Sequence, residues 1–228
     1  MKTISKIKTP KNLLFTALMA CLAICVLSIS SCSKGSDSVG VSAYVMAVNS
    51  AQASAPQDFY VDNAKANGSA MAYTQNSGYI TVSSGSHNAQ FRTSNTTTVN
   101  TSFSLSASPG AYYTVFYTDD NTATSYQDDR TQPQSGNARV RFINVSSALN
   151  SNVDFTTSTG TAVVSKLAYK AASAYTEVAA ATTFKLNATG STTVLLNIPV
   201  TLQAGKLYTI FISGATSATI TYTLVAES

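Results

Sequence analysis

One ten-residue stretch constrains this chain more than any other, because it occurs twice. Gly205-Lys206-Leu207-Tyr208-Thr209-Ile210-Phe211-Ile212-Ser213-Gly214 has an earlier counterpart in Gly110-Ala111-Tyr112-Tyr113-Thr114-Val115-Phe116-Tyr117-Thr118-Asp119. Gly, Tyr-Thr, an aliphatic residue and Phe recur at a constant separation of 95 residues. Other landmarks follow in the same order. Asp58-Phe59 matches Asp154-Phe155, Ala72-Tyr73 matches Ala168-Tyr169, and Tyr79 matches Tyr175, each 96 residues apart. Asn49 and Asn144 each follow an aliphatic residue and precede small ones. Two copies of one strand in one register imply two copies of one domain.

The domain type is read from short runs of Val, Ile, Thr, Tyr and Phe bounded by Gly, Asn, Ser and Pro, a strand signature. Tyr79 to Val82, Thr192 to Ile198 and Thr219 to Leu224 are examples. No segment reads as a convincing helix. Even the Ala-rich 168–181 carries Tyr175, Thr176 and Val178 and reads as strand. About seven or eight strands per copy are expected, enough for a sandwich. In the recurring strand, Tyr113, Val115 and Tyr117 share one face with Tyr208, Ile210 and Ile212 of the second copy. Tyr112, Thr114 and Phe116 share the other with Leu207, Thr209 and Phe211. Apolar groups on both faces predict a central strand, with the Thr face the less buried.

The N-terminus reads differently. Lys2, Lys6, Lys8 and Lys11 precede an uncharged run from Leu13 to Ile29, which ends in Ile29-Ser30-Ser31-Cys32. Basic head, apolar core and small residues make a secretory signal. An uncleaved membrane helix is the alternative, although the run is at the short limit for a span. Ile-Ser-Ser-Cys resembles a bacterial lipobox, which implies lipid on Cys32. Several acyl chains at roughly 0.8 kcal/mol per buried CH₂ give stable anchoring. Without the four leading lysines, the 14 basic residues become ten, against ten acidic ones. The basic balance therefore belongs to the signal, and there is no case for nucleic acid. Cys21 and Cys25 lie in the signal as well, so no thiol remains for a disulfide, metal site or nucleophile.

Few residues carry chemistry. His87 is the only histidine and reads as a surface residue at a turn or strand start. Asp119, Asp120, Asp128 and Asp129 form the acidic cluster. If 119–129 is a hairpin, the two pairs could face each other as a calcium site, or as the carboxylates of a hydrolase. The stretch lacks the Gly and closing Glu of an EF-hand loop, and a solvated loop guarding an edge strand is the simpler reading. Asp58 and Asp154, like Asn49 and Asn144, recur in both copies and read as turn residues bonding backbone. Tyr112, Tyr113 and Tyr117 could form a sugar-stacking platform, but they lie in the strand assigned to the core.

The second copy also carries a resemblance. Ala138-Arg139-Val140-Arg141-Phe142-Ile143-Asn144-Val145-Ser146, then Val153-Asp154-Phe155, Leu167-Ala168-Tyr169 with Tyr175, and Ala204 to Gly214 resemble the DUF4397 domain of bacterial secreted and lipid-anchored proteins. The resemblance is strong over 137–228 and weaker over 41–136. The family's Pro-Asp-Ala-Pro turn is replaced by Ser147 to Ser151 in the second copy. It implies an immunoglobulin-like sandwich, commonly in tandem, and no known reaction. Together with the lipobox, it looks like a lipoprotein of the Bacteroidetes type.

The expected organisation is all-β, with two tandem immunoglobulin-like β-sandwich domains behind a lipoprotein signal peptide. Residues 1–31 are the signal peptide (lipobox 29–32), 33–40 a flexible tether, 41–130 the first sandwich, 131–136 a flexible linker and 137–228 the second. The expected role is non-catalytic: a lipid-anchored cell-envelope protein in adhesion, scaffolding or ligand binding. A glycan-binding module of a polysaccharide-uptake system and a carboxylate-based hydrolase are the alternatives. Expected partners are the membrane, through lipid on Cys32, and a glycan or protein ligand, with no cofactor and no catalytic residue. Ser33 after Cys32 favours the outer membrane, facing the periplasm or the surface. Replacing Ile210 by Asp should unfold the second domain. Unchanged far- and near-UV circular dichroism with a normal melt would show that this strand is not core.

Overall fold

The computed structural model describes residues 41–149 and 151–227, and among them the regular structure is all β apart from one 3₁₀ turn at Ser217–Thr219. In the first half, β1 (Ser42–Asn49) lies between β4 (Asn76–Ser83) and β7 (Tyr112–Tyr117), and β8 (Ala123–Asp128) follows beside β7. This sheet is called central sheet one. Outer sheet one has the order β3 (Ala64–Lys65), β2 (Gln57–Val61), β5 (Gly85–Thr93), β6 (Val99–Ala107). In the second half, β9 (Asn137–Asn144) lies between β16 (Leu207–Ser213) and the short strands β12 (Ala171–Ala172) and β13 (Thr176–Ala179). With β17 (Thr221–Ala226) beside β16, these form central sheet two. Outer sheet two is β11 (Ala162–Leu167), β10 (Val153–Thr157), β14 (Phe184–Ala188), β15 (Val194–Ile198). In both halves the first strand runs parallel to the penultimate one: Met46 is opposite Thr114, and Arg141 opposite Thr209.

Each half buries the two facing sides of its sheets. In the first, Ala43, Val45, Ala47, Tyr113, Val115 and Tyr117 pack onto Phe59, Ala89, Phe91 and Leu105. The rings of Phe59 and Phe91 are 5.1 Å apart, and those of Phe91 and Tyr117 are 5.4 Å apart. In the second, Val140, Phe142, Tyr208, Ile210 and Ile212 pack onto Val153, Phe155, Phe184 and Leu186, with Phe142 4.3 Å from Phe155. The recurring strand enters from Gly110 at φ +73° and Gly205 at φ +78°, a backbone conformation that glycine adopts without strain.

The Thr face of that strand differs from expectation. Thr114 and Thr209 are each only 1 % exposed. The central sheets pack back to back, so the side turned away from one sandwich core is buried against the other half. Met46, Val48 and Phe116 meet Ile143, Val145, Phe211 and Val225 in a third apolar cluster. Phe116 and Phe211 cross edge to face at 5.1 Å. This two-sided burial is why β7 and β16 carry so little polarity. The segment between β8 and β9 is tied down: Gln134 N donates to Glu177 Oε1 at 2.7 Å and Arg139 Nη1 to the Thr131 carbonyl at 2.7 Å.

Truncating Phe116 to Ala should cost about 3–5 kcal/mol, since its ring fills the contact between the halves and has little room to collapse. Denaturant unfolding reads this as a lower midpoint. A loss below about 1 kcal/mol would mean that the two central sheets do not depend on each other.

Candidate functional site

The four aspartates singled out from the sequence do not meet. β7 and β8 form the expected hairpin, but its register separates the pairs. Tyr117 is opposite Ala123 near the turn, and Tyr112 is opposite Asp128 at the other end. Asp119 and Asp120 sit at the turn, so the length of β8, roughly 20 Å of strand, lies between them and Asp128 and Asp129. Each is engaged locally. Asp119 accepts from Gln52 N at 2.6 Å and from Ser147 Oγ at 3.0 Å. Asp120 takes Lys170 Nζ at 2.5 Å and the hydroxyls of Thr118 and Thr122. Burial pushes its carboxyl up, and these bonds outweigh that, bringing it down to about 2. Asp129 is held well below the usual carboxylate range by Arg139, 2.6 Å away, and by Thr131. Among the described residues, no group of three or more His, Cys, Asp or Glu side chains could hold a metal ion. The calcium site and the hydrolase pair considered for this segment are therefore not assembled.

Other candidates resolve individually. His87 is not a surface residue: it is 9 % exposed within β5, with Nδ1 2.7 Å from Asp62 and Nε2 2.8 Å from the Ser83 carbonyl. Asp154 accepts backbone N–H bonds from Lys166 at 2.7 Å and Gly190 at 2.9 Å, as a turn residue should. Its counterpart Asp58 instead pairs with Lys65 at 2.9 Å. Asn49 and Asn144 each accept from the backbone N–H two residues on. Tyr113 and Tyr117 are buried, and Tyr112 stacks on Tyr44 at 4.4 Å with Arg130 above its ring, so the three make no exposed platform. The signal segment, Cys32 and the 33–40 tether lie outside the described residues.

Two features emerge that were not singled out from the sequence. The first is a polar cup of about 290 Å³ at the loop end of the first half. Gln57, Thr93, Asn100, Tyr117, Asp119 and Asn121 line it, with the small residues of 51–55 on one side. Asn100 Nδ2 donates to Gln57 Oε1 at 2.7 Å and to Thr93 Oγ1 at 3.0 Å. Gln57 Nε2 donates to the Ala55 carbonyl at 2.8 Å, and Tyr117 OH to Asn121 Oδ1 at 2.5 Å. The lining is thus held in place by its own hydrogen bonds.

The second is a buried ionic cluster between the central sheets. Arg141 is 2 % exposed, Glu227 2 % and Asp128 5 %. Arg141 Nη2 lies 2.6 Å from Asp128 Oδ1 and 3.3 Å from Glu227 Oε1. The Asp128 contact is one of charge rather than an aligned hydrogen bond, and Oδ1 has no hydrogen-bond partner. The two acids are held alike. Thr114 and Tyr79 both donate to Asp128 Oδ2 at 2.8 Å. Thr209 donates to Glu227 Oε1, and Tyr175 to Oε2 at 2.6 Å. Burial and the neighbouring acids raise the Tyr79 and Tyr175 phenols, so both remain donors. Burial works against the Arg141 charge, but Asp128, Tyr175 and Glu227 outweigh it and raise its pKa. Burial also raises the Glu227 carboxyl, against the pull of Arg141.

Glu227 keeps its proton to higher pH in the folded chain than in the unfolded one, whose value is near 4.5. Stability contributed by that proton is full below 4.5 and lost as pH rises through the folded value. His87 acts in the same sense from 6.5 upward, because Asp62 raises it. Asp58, Asp129 and Asp154, all lowered, lose their contributions as pH falls below 3.8. The melting temperature should therefore peak in mild acid and fall toward neutrality. Glu227→Gln, which keeps the shape and a neutral amide, should flatten the fall that begins above pH 4.5. Parallel melts of the two proteins across pH 4–8 check this, and superimposable curves would place the titration elsewhere.

Comparison with known proteins adds one firm result. Solved structures with some likeness include a family 26 carbohydrate-binding module of Eubacterium rectale Amy13K in complex with maltoheptaose. It is 11 % identical, the match covers 81 % of this chain and 97 % of that one, and the TM-score is 0.28. Another is a family 41 carbohydrate-binding module from streptococcal virulence factors, described for α-glucan recognition. It is 12 % identical, with 77 % and 95 % covered and a TM-score of 0.26. At such scores the likeness carries no argument about ligand. No curated protein matches the sequence. The family model described as "Domain of unknown function (DUF4397)" matches residues 43–156. The match lies over the first half and reaches into β10, whereas the motifs in the sequence resemble the family most strongly over 137–228. With half of its length matched, the chain belongs to the DUF4397 family.

Proposed function

We propose that the chain is a non-catalytic binding or scaffolding module, two tandem copies of one sandwich, held at the bacterial outer membrane by lipid on Cys32. The observation that carries the non-catalytic part is the hairpin register of β7 and β8. It parts the two aspartate pairs of 119–129 and leaves each member in a structural bond. His87 is similarly committed to Asp62 and the Ser83 carbonyl. The anchoring part rests on the Leu13–Ile29 run and the Ile29-Ser30-Ser31-Cys32 box. The packing of the central sheets against each other favours a module that presents its ends and outer sheets as one body. A glycan-binding role is the second reading, and the polar cup favours it.

Metabolic labelling with palmitate in a bacterial host tests the anchor. The chain should take up label and sediment with membranes, and Cys32→Ser should lose both. Undiminished label in the variant would overturn the anchoring.

A further inference from the structure

The cup has a built-in comparison, because the second half repeats the same frame. Gln57 opens β2 and is paired with Thr93. Val153 opens β10 and is paired with Ala188. Asn100 sits in the irregularity between the pairs Phe91–Thr101 and Arg92–Val99. Leu195 sits in the matching irregularity between Leu186–Leu196 and Asn187–Val194. Tyr117 is opposite Asn49, and Ile212 is opposite Asn144. Every one of these four lining positions is thus polar or hydroxyl-bearing in the first half and apolar in the second. Val153 and Ile212 are as buried as Gln57 and Tyr117. The frame therefore accepts apolar side chains at these positions. Burying an amide such as Gln57 is costly unless it is bonded, so folding alone does not ask for the polar set.

Resting on the binding role proposed above, we infer that this cup is a binding site for one neutral, hydroxyl-rich ring, the terminal sugar residue of a glycan. The bonds within the lining use the Asn100 and Tyr117 donors and leave lone pairs on Gln57 Oε1, Asn100 Oδ1 and Asn121 Oδ1, which suit the O–H donors of a sugar. No Lys or Arg lines the cup, and Asp119 does, so a phosphate or carboxylate ligand is disfavoured. The volume, about 290 Å³, lies at the lower end for ligand pockets and suits a single ring rather than a buried chain. The small residues at 51–55 leave room beside the ring, and Tyr117 adds an aromatic edge. Hydrogen bonds among the lining groups hold them in place before a ligand arrives, which lowers the ordering cost of binding.

The test is saturation-transfer NMR on the purified full chain with D-glucose, D-galactose, D-mannose and N-acetylglucosamine, and with D-glucuronic acid as the anionic control. At least one neutral sugar should give signal, and glucuronic acid should give less. The double variant Gln57→Val/Asn100→Leu, which copies the second half, should keep its circular dichroism and melt. It should weaken binding at least about tenfold, as expected for two lost hydrogen bonds. Should the double variant fail to fold, Asn100→Leu alone serves, because its counterpart Leu195 is 40 % exposed and not required for packing. Silence from all four neutral sugars, stronger binding of glucuronic acid, or unchanged binding by the folded variant would each overturn the assignment. Palmitate labelling at Cys32 is read separately, so a silent cup on a labelled protein removes the sugar site and leaves the anchored module standing.

Discussion

The structure depends on the burial of two sheet faces against each other. A sandwich that stands alone turns the far side of each sheet toward water and makes it polar. Here β1, β7, β9 and β16 are covered on both sides, and Val48, Phe116, Ile143 and Phe211 would be left exposed if the halves parted. The ionic cluster reinforces this dependence. Taking Arg141 and Asp128 out of water is expensive, and the expense is offset only while the pair remains together with its hydroxyl donors, with Glu227 beside it as a group whose proton burial favours. Each half supplies part of the set, so the cluster favours one docking register over its neighbours. Apolar contact drives the halves together, and charge selects how they meet.

Within that frame the two halves are filled differently. Where the first half has Ala47, Phe91 and Tyr117, the second has Phe142, Leu186 and Ile212, so bulk moves from one side of the core to the other. Cores tolerate such trades when total volume is kept. Met46 and Arg141 occupy the same register beside Thr114 and Thr209. That single difference puts one cation between two similarly held acids, so a matched pair of faces becomes an unequal one. The polar cup is another departure of this kind, placed where the loops leave room.

Much of the fold was legible in the sequence because strand residues recur with fixed spacing. The β class, the central position of β7 and β16 and the glycines feeding them all follow from local pattern, whereas 168–181, read as strand throughout, holds only the short β12 and β13, with Tyr175 between them. The burial of Thr114 and Thr209 did not. A Thr on a strand face reads as exposed unless something covers it, and the covering sheet lies in the other half. Strand register is another long-range property: Asp119 and Asp128 are near neighbours in sequence, and only the pairing of β7 with β8 shows that they lie at opposite ends. Arg141 was visible as a basic residue in an apolar run, but its partners Asp128 and Glu227 come from other strands. The signal for the cup in the sequence lies where the two halves differ at matching spacing. Gln57 against Val153 and Asn100 against Leu195 are such positions, polar in the first half and apolar in the second.

The parallel pairing of first and penultimate strands also bears on how the chain reaches its native state. β1 must wait about 70 residues for β7, and β9 waits about as long for β16. Such long-range closures slow folding. Glu227 follows β17 directly, so the pairing of β16 with β17 carries it to the Arg141–Asp128 pair. Pairing of β16 with β17 and the seating of Glu227 beside Arg141 are thereby coupled, so the last hairpin and the joint between the halves share one end point.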